Sequence, residues 1–248
     1  MHYIKAVLFN LWKLYIGVMF ASTLLLFYPI FLIFLSNEKL KPWTFKLNVL
    51  WSRIMRILCF YAIHIEGESP KNLDHPYIIC ANHTSYLDIF FMYSIIKDHK
   101  FLFMGKSEIL SYPLVKTFFK KLNIPVFRDD RIKAAKSFIK ARQEMKKGWS
   151  IVIFPEGGIP DKTPYMIPLK DGAFKLAKSA EIGILPLTFK NNYLLFSDPE
   201  NIFDSARPGL ARVVLHPFIS AQEVTETPIA ELNKMVFDSI SSSLPKKV

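Results

Sequence analysis

The sequence has 248 residues, of which 51% are hydrophobic and 22 are Phe, and its formal net charge is +11. A chain of this length can bury one sizeable core and carry an appendage. The two cysteines, Cys59 and Cys80, lie in apolar surroundings, which excludes a disulfide framework and offers no metal-binding spacing. This use of cysteine fits a reducing compartment.

The amino-terminal part of the chain is predicted to contain a membrane-associated helix. Residues 14–37 carry no charged side chain and are bounded by Lys13 and Glu38. A helix that crosses a bilayer needs about 20 apolar residues, so this run is long enough. It is too long for the core of a signal peptide, and no small-residue cleavage site follows it, so we expect it to be retained.

A second apolar segment, residues 46–63, carries the cations Lys46, Arg53 and Arg56. At about 100° per helical residue these side chains share one stripe, which predicts a helix in the membrane interface with its cations towards lipid phosphates. Positive charge flanks the first segment on both sides, so a true span and a two-helix element dipping into one leaflet are both open. A buried helical hairpin in a soluble core is the third alternative.

These segments predict two domains, membrane-associated helices at residues 1–65 and a globular domain at residues 66–248. The expected location is a membrane, with the active site on the cytoplasmic face of the inner (plasma) membrane. Residues 97–147 contain 14 basic and 5 acidic residues, a net charge of +9. Because no nucleic-acid motif accompanies this charge, we expect membrane lipids and phosphate-bearing substrates as partners, and no nucleic acid.

The centre of the globular part is a polar turn at residues 82–88. The apolar run at residues 77–81 predicts a buried strand before it, and residues 89–96 predict a helix after it. A spacing of five residues does not put His83 and Asp88 on one helix face. The two can pair if His83 precedes the helix and folds back over it. Asp88 then holds one ring nitrogen and leaves the other free as a base.

Other interpretations of this turn are open. A lone His in a turn is usually structural, and Ser85 is a candidate helix cap. Asn82 and Thr84 also match the glycosylation pattern Asn-x-Thr, which matters only in a secretory lumen.

The rest of the chain alternates between strand and helix patterns, which predicts an α/β fold with a mixed, mostly parallel sheet flanked by helices. Further strands are predicted at residues 100–104, 123–127, 150–154, 183–189, 193–196 and 211–218, and helices at residues 131–147, 172–181 and from Thr227-Pro228 onwards. For the helix at 131–147, Asp130 is the predicted cap and Gly148 the stop. Its predicted inner face comprises Ile132, Ala135, Phe138, Ile139 and Met145.

Polar residues follow two more predicted strands. Arg128 ends one of them, and its guanidinium fork suits a phosphate group. Glu156, Gly157 and Gly158 end another, where glycines permit close backbone approach to a ligand.

The order of these clusters resembles the motif series of the glycerolipid acyltransferase family, and most of all its 1-acyl-sn-glycerol-3-phosphate (lysophosphatidic acid) acyltransferase type. The four matching motifs are His83 with Asp88, Phe127-Arg128, Phe154-Pro155-Glu156-Gly157 and Leu185-Pro186-Leu187. The stretch from Leu169 to Phe174 is also similar to one that members carry between the third and fourth motifs. An amino-terminal membrane-associated helix pair is a further similarity.

The resemblance implies acyl transfer from acyl-CoA or acyl-carrier protein to the free hydroxyl of a lysophospholipid, most often lysophosphatidic acid, without a cofactor or metal. His83 held by Asp88 would take the hydroxyl proton, and such acid–base help contributes about 10²–10⁴-fold. Arg128 would bind the acceptor phosphate, with Glu156 and Gly157 lining the same site. The sequence has no Gly-x-Ser-x-Gly elbow, which disfavours a covalent serine route.

One departure from the family pattern concerns the presumed phosphate site. Members commonly have Thr or Ser after the Gly of the third motif and often a basic residue next, whereas this chain has Gly158 and Ile159. Either Lys162 or Lys170 can compensate for the missing cation. The departure leaves the acceptor open, so acylation of another lyso-lipid, such as a lyso-ornithine lipid or lysophosphatidylglycerol, is an alternative function. Two alternatives from other classes are a non-enzymatic lipid-binding protein and a membrane hydrolase.

Overall fold

A seven-stranded mixed sheet forms the centre of the fold, seen in a computed structural model that describes residues 2–68, 70, 75–111, 113–198 and 201–246. The strands are β1 (Tyr61–Glu66), β2 (Ile78–Ala81), β3 (Phe101–Lys106), β4 (Ile124–Val126), β5 (Ser150–Ile153), β6 (Ile184–Phe189) and β7 (Gly209–Leu215). Their order is β1-β7-β6-β2-β5-β3-β4. All neighbours are parallel except β6 and β7, so the predicted α/β class with a mixed, mostly parallel sheet is confirmed.

Helices cover the sheet and extend the chain at its amino terminus. They are α1 (His2–Phe34), α2 (Lys41–Leu58), α3 (Leu87–Ile95), α4 (Pro113–Leu122), α5 (Arg131–Lys146), α6 (Gly172–Ala180), α7 (Asn192–Leu195), α8 (Ala221–Glu226) and α9 (Ile229–Ser241). Short 3₁₀ helices lie at Glu38–Leu40 and Ser107–Ser111.

The direction of the strands gathers the polar turns at one edge of the sheet. β2 is buried at every position and pairs with β5 on one side and β6 on the other. Cys80 lies opposite both Ile153 and Pro186, so β2, β5 and β6 end close together. Ligands of open parallel sheets bind at the carboxyl ends of strands. The turns after β2, β4 and β5 carry the residues singled out above.

The helix α1 lies along the domain with one face buried and the other exposed. It is the one helix in the described part of the chain that is long and apolar enough to cross a membrane, with a mean hydropathy of 2.2. Its buried positions are Ala6, Lys13, Ile16, Thr23, Leu24 and Phe31, and its exposed apolar residues include Ile4, Val7, Leu11, Leu14, Leu25, Leu26 and Ile33.

The helix α2 ties this element to the domain. It packs on both α1 and α3, and Trp51 donates a hydrogen bond of 2.9 Å from Nε1 to Thr23 of α1. At its start, the buried Lys41 forms an ion pair of 2.7 Å with Glu144 of α5. A buried pair leaves an uncompensated charge if one partner is removed, so it holds α2 to α5 specifically.

The second segment differs from its prediction at its end and in the direction of one cation. α2 ends at Leu58, and the edge strand β1 begins at Tyr61 after a two-residue turn, so the sheet begins before the predicted domain boundary. Lys46 and Arg53 are exposed as predicted, on the face that also exposes Trp43, Leu50 and Ile57. Arg56 is half-buried instead and lines an internal cavity.

The predicted strand at residues 193–196 is wrong, because these residues belong to the single-turn helix α7 and the residue after it. The amide of Phe196 donates to the carbonyl of Asn192 at 2.9 Å, which closes the helical turn. A short apolar run does not by itself distinguish a strand from a buried helical segment.

The predicted inner face of α5 is partly wrong, although its cap is confirmed. Asp130 accepts hydrogen bonds from the amides of Ile132 and Lys133 at 3.0 and 2.9 Å. However, Ile132 and Ile139 are 71% and 57% exposed, and Ala135 is exposed as well. The buried positions are Ser137, Ala141, Glu144 and Met145, because Glu144 pairs with Lys41 and Ser137 bonds the carbonyl of Pro125.

The start of the last helix also differs by one position. Pro228 is the N-cap of α9 rather than its first helical residue, and Ile229 begins the helix.

Candidate active site

The turn after β2 is anchored by a buried asparagine. Asn82 accepts a hydrogen bond from the amide of Phe189 at 2.7 Å and donates from Nδ2 to the carbonyl of the same residue at 3.0 Å. This pair of bonds joins the end of β2 to the end of β6. The Asn82 side chain is completely buried, so the glycosylation interpretation is wrong.

The pairing predicted for His83 and Asp88 is present. The imidazole Nδ1 lies 3.0 Å from Asp88 Oδ2, because His83 precedes α3 and folds back over its first turn. The His83 ring stacks on Phe154 with centroids 4.1 Å apart and an angle of 16° between the planes. Among the described residues, none is recorded as a hydrogen-bond partner of Nε2, and the ring lines the cavity. The free nitrogen is thus available to a ligand.

Asp88 is fully buried and its two carboxylate oxygens are bound differently. Besides His83, Oδ2 accepts from the amides of Thr84 at 2.6 Å and Ser85 at 2.9 Å. The other oxygen, Oδ1, accepts from Nδ2 of Asn192 at 2.7 Å. These hydrogen bonds fix the orientation of the carboxylate, with Oδ2 facing Nδ1 of His83.

The predicted cap at Ser85 is wrong by one position, because Tyr86 is the N-cap of α3 and makes no side-chain cap bond. Ser85 precedes the cap but still contacts the helix. Its Oγ accepts from the amide of Leu87 at 3.1 Å and donates to the carbonyl of Phe196 at 2.5 Å. The side chain therefore binds the start of α3 and fastens it to the segment after α7.

Glu156 braces the loops beside His83. Its Oε1 accepts from the amide of His83 at 2.9 Å, and its Oε2 accepts from the amide of Ile167 at 3.1 Å. Burial raises the pKa of this carboxyl, while the two amide donors act in the opposite direction. Because both oxygens are bound to backbone, Glu156 supports the geometry of the site from behind, and the predicted substrate contact stays a prediction.

Three cations surround the two glycines after β5. Gly157 has φ +88°, and a Cβ built on it would lie 3.0 Å from Lys170 Nζ and 3.1 Å from both terminal nitrogens of Arg128. Arg128 also donates from Nη1 to the Gly157 carbonyl at 2.8 Å. Lys106 Nζ lies 3.3 Å from the corresponding point on Gly158. Glycine is therefore favoured at 157 by the backbone conformation, and the cluster of cations suits a phosphate.

Of the two lysines predicted to compensate for the missing cation, the structure places Lys170 in this cluster. Lys170 lies at Gly157, whereas the exposed Lys162 is not among its nearest atoms. The amide of Lys170 donates to the carbonyl of Pro155 at 2.9 Å, which fixes the strand-end loop against the stretch before α6.

Sequence reasoning missed Lys106 and Asn192. Lys106 ends β3, which lies beside β4, so its place at the edge of the sheet signals a role once the strand order is known. Asn192 immediately precedes the run at residues 193–196 that is predicted as a strand, and no sequence signal connected it to Asp88.

A cavity of about 740 Å³ begins at His83 and extends between the two amino-terminal helices and the domain. At one end it is lined by His83, Arg128, Lys106 and Gly157. Its apolar wall includes Ile16, Phe20, Leu24, Trp51, Met55, Phe90, Phe91, Phe103, Met104 and Phe118. A cavity of this size and lining suits an apolar ligand with a polar end.

The arrangement can therefore remove a proton at His83 Nε2 while a neighbouring cationic cluster binds an anion. No group of three His, Cys, Asp or Glu side chains in the described ranges has the geometry of a metal site.

Comparison with known proteins gives a consistent picture. The family model "Acyltransferase" matches residues 62–190. A 1-acyl-sn-glycerol-3-phosphate acyltransferase of Chlamydomonas reinhardtii is 25% identical over 247 residues, which are 99% of this chain and 71% of the relative. One from Saccharomyces cerevisiae is 31% identical over 196 residues, 77% of this chain and 62% of the relative.

The chloroplastic enzyme LPAT1 of Arabidopsis thaliana, also a 1-acyl-sn-glycerol-3-phosphate acyltransferase, is 30% identical over 170 residues. These cover 67% of this chain and 46% of the relative, so the chain spans about half the length of some relatives. The crystal structure of the 1-acyl-sn-glycerophosphate acyltransferase PlsC from Thermotoga maritima is similar in fold. Its TM-score is 0.74 at 21% identity, over 98% of this chain and 95% of that one.

Proposed function

The chain belongs to the acyltransferase family, and we propose that it makes phosphatidic acid by acylating the free sn-2 hydroxyl of 1-acylglycerol-3-phosphate. The acyl donor is a thioester, acyl-CoA or acyl-carrier protein. The observation that carries the proposal is the free Nε2 of His83 at the polar end of an apolar cavity, beside Arg128, Lys106 and Lys170.

The reaction follows from the placement of these groups. The acceptor phosphate lies among the cations, which brings its glycerol hydroxyl to His83. Nε2 takes the hydroxyl proton as the oxygen bonds to the thioester carbonyl carbon. The carbon–sulfur bond then breaks, and the departing thiolate takes the proton from the imidazolium. Asp88 accepts the hydrogen bond from Nδ1–H of His83 throughout and stabilises the imidazolium that forms.

The apolar cavity explains why a two-helix element belongs to the enzyme. Its wall is formed by α1, α2, α3 and β3, so we propose that a fatty acyl chain lies between the amino-terminal helices and the domain. On that wall, Phe20 stacks on Trp51 and both rings meet Phe90 edge to face, with centroids 5.1–5.5 Å apart. The amino-terminal helices would thus contribute to the binding site as well as to membrane attachment.

The contacts of α1 favour a helix that lies in one leaflet over a true span. Near its start, Lys13 donates to the carbonyls of Asp198 and Asn201 at 2.8 and 2.6 Å. Near its end, the rings of Phe31 and Phe118 of α4 are 5.0 Å apart. Because both ends contact the globular part, we propose that the exposed apolar faces of α1 and α2 face lipid while the domain stays on one side, the cytoplasmic one.

Two observations favour a second candidate, acylation of another lyso-lipid by the same chemistry. Gly158 and Ile159 add neither a hydroxyl nor a charge beside the cations, and the flexible Lys106 and Lys170 take part in the cluster. A lysine binds as a point charge, while the arginine fork is matched to one geometry. We therefore expect tolerance of a larger headgroup such as that of lysophosphatidylglycerol.

Thiol release from acyl-CoA by the purified full chain in mixed micelles tests the proposal. We expect release only when lysophosphatidic acid is added, with phosphatidic acid detected by mass spectrometry and no product from His83→Ala. Equal release without an acceptor would indicate a hydrolase. Binding of acyl-CoA without release of its thiol, whichever acceptor is added, would indicate a lipid-binding protein.

A further inference from the structure

The last residue of β6 and the segment after it are bonded at three points to the turn that carries His83. Asn82 bonds both backbone groups of Phe189, and Ser85 donates to the carbonyl of Phe196. Between them, Asn192 of α7 donates to Asp88. Two of these contacts fix backbone, and the third ends on the carboxylate that pairs with His83.

Asn192 is the close donor to one oxygen of that carboxylate. Asp88 Oδ2 is bound by two amides and by His83, whereas Oδ1 is bound by Asn192 at 2.7 Å. The other recorded contact of Oδ1, with Thr84 Oγ1, is 3.5 Å long, beyond the range of a normal O–H···O bond. Without Asn192, a buried anionic oxygen would lose its main stabilising donor.

The environment of Asn192 points to this donation as its role. The residue is fully buried, and its own Oδ1 has no hydrogen-bond partner among the described residues. A buried acceptor without a partner is unfavourable, and an apolar residue of similar size would avoid that cost. The hydrogen bond that its amide nitrogen donates to Asp88 therefore explains why this position is an asparagine.

We infer that Asn192 is a positioning residue of the catalytic pair, acting on His83 only through Asp88. Its amide holds the carboxylate in the rotamer that accepts a hydrogen bond from Nδ1–H of His83, so that Nε2 carries no proton and faces the cavity. The expected effect of Asn192 on the rate of acyl transfer rests on the proposed function. Its expected effect on the tautomer of His83 is independent of that function.

The first test is spectroscopic and independent of any substrate. In ¹⁵N-histidine NMR of the full chain in detergent micelles, with His83→Ala used for assignment, wild type is expected to show His83 with its proton on Nδ1. Asn192→Leu should shift His83 towards a mixture of tautomers. Asn192→Ala, which removes the amide without adding bulk, gives the same readout if the leucine variant does not fold. An unchanged His83 signal in the folded variant would overturn the inference.

The second test is kinetic and uses a neighbouring residue as control. Asn192→Leu should lower kcat by about 10- to 100-fold with both KM values within about threefold of wild type, as expected for an interaction made in the transition state. In an Asp88→Asn background the same change should cost little more. Asn191→Ala removes hydrogen bonds to β7 in the same turn and should leave kcat and the NMR signal intact.

Two kinetic results would count against the inference. Losses that multiply in the double variant would show that Asn192 acts independently of Asp88. An equal loss in Asn191→Ala would assign the effect to a loosened turn. If wild type transfers no acyl group, the proposed function fails, and the tautomer comparison still decides the role of Asn192.

Discussion

Replacing Asp88 with asparagine should separate its chemical role from its structural one. An asparagine whose oxygen takes the place of Oδ2 still accepts from the amides of Thr84 and Ser85. Its NH₂ group would then face Asn192, whose amide can turn round because its Oδ1 has no partner among the described residues. The fold should therefore survive with a loss of about 1–2 kcal/mol, since few hydrogen bonds are broken.

The catalytic loss should be much larger, because the charge beside His83 disappears. At an effective dielectric constant of about 20, unit charges 3.0 Å apart attract each other by about 5.5 kcal/mol. A neutral amide replaces only part of this attraction in the state where the imidazole has taken the proton. At about 1.36 kcal/mol per decade, we expect kcat to fall by about 10²–10⁴-fold.

Rapid-quench single-turnover rates and thermal melts of Asp88→Asn, His83→Ala and the double variant measure these quantities. The melting temperature should fall by about 2–4 °C per kcal/mol lost. The double variant should be no slower than His83→Ala, because the two residues act as one unit. Near-normal turnover in Asp88→Asn would reduce Asp88 to a helix-capping role, and multiplying losses would refute the pairing.

The remaining predictions concern the phosphate cluster and the membrane surface. Arg128→Ala should raise the acceptor KM by about 10- to 100-fold and leave the donor KM near wild type, since a charge-assisted hydrogen bond contributes about 1.5–3 kcal/mol. The exposed Arg131→Ala is its control, and an effect on the donor KM alone would move Arg128 to the thioester side. The ratio of kcat/KM for lysophosphatidic acid to kcat/KM for lysophosphatidylglycerol should be below about 10⁴, and Lys170→Ala should change that ratio. A ratio of about 10⁴ or more, equivalent to about 5.5 kcal/mol, would refute the expected tolerance of the larger headgroup. Leu50→Asp should reduce sedimentation with anionic vesicles, while Ile132→Asp, at a more exposed position on α5, should not. Equal losses would contradict the assigned lipid face.

The sequence predicted those parts of the fold that depend on local pattern. Buried strands such as β2 and β6 are apolar runs with turn residues at their ends, and α5 has a side-chain cap at Asp130 that is visible in the sequence. The prediction failed where long-range contacts override the pattern. Glu144 is buried because Lys41 lies opposite, and nothing near Glu144 in the sequence indicates that partner.

The site divides in the same way. The pairing of His83 and Asp88 is local, because both belong to one turn and the helix that follows it. The strand and helix patterns on either side of the turn allowed the fold-back, and the motif resemblance supported it. Lys106, Arg128 and Lys170 come from three separate segments and meet only because strand order brings them to one edge. The contact of Asn192 with Asp88 could not be predicted, since a single helical turn of four residues has too weak a pattern to be distinguished from a strand.

The most direct test of the central claim is a single-turnover reaction of the full chain with radiolabelled acyl-CoA and lysophosphatidic acid, quenched on the millisecond scale. The reaction proposed for His83 is a direct transfer to the acceptor hydroxyl. We therefore expect label to pass from acyl-CoA to phosphatidic acid with none bound to protein at any time, and no transfer by His83→Ala. Label that appears first on the protein, or product formed at the wild-type rate by His83→Ala, would contradict the account.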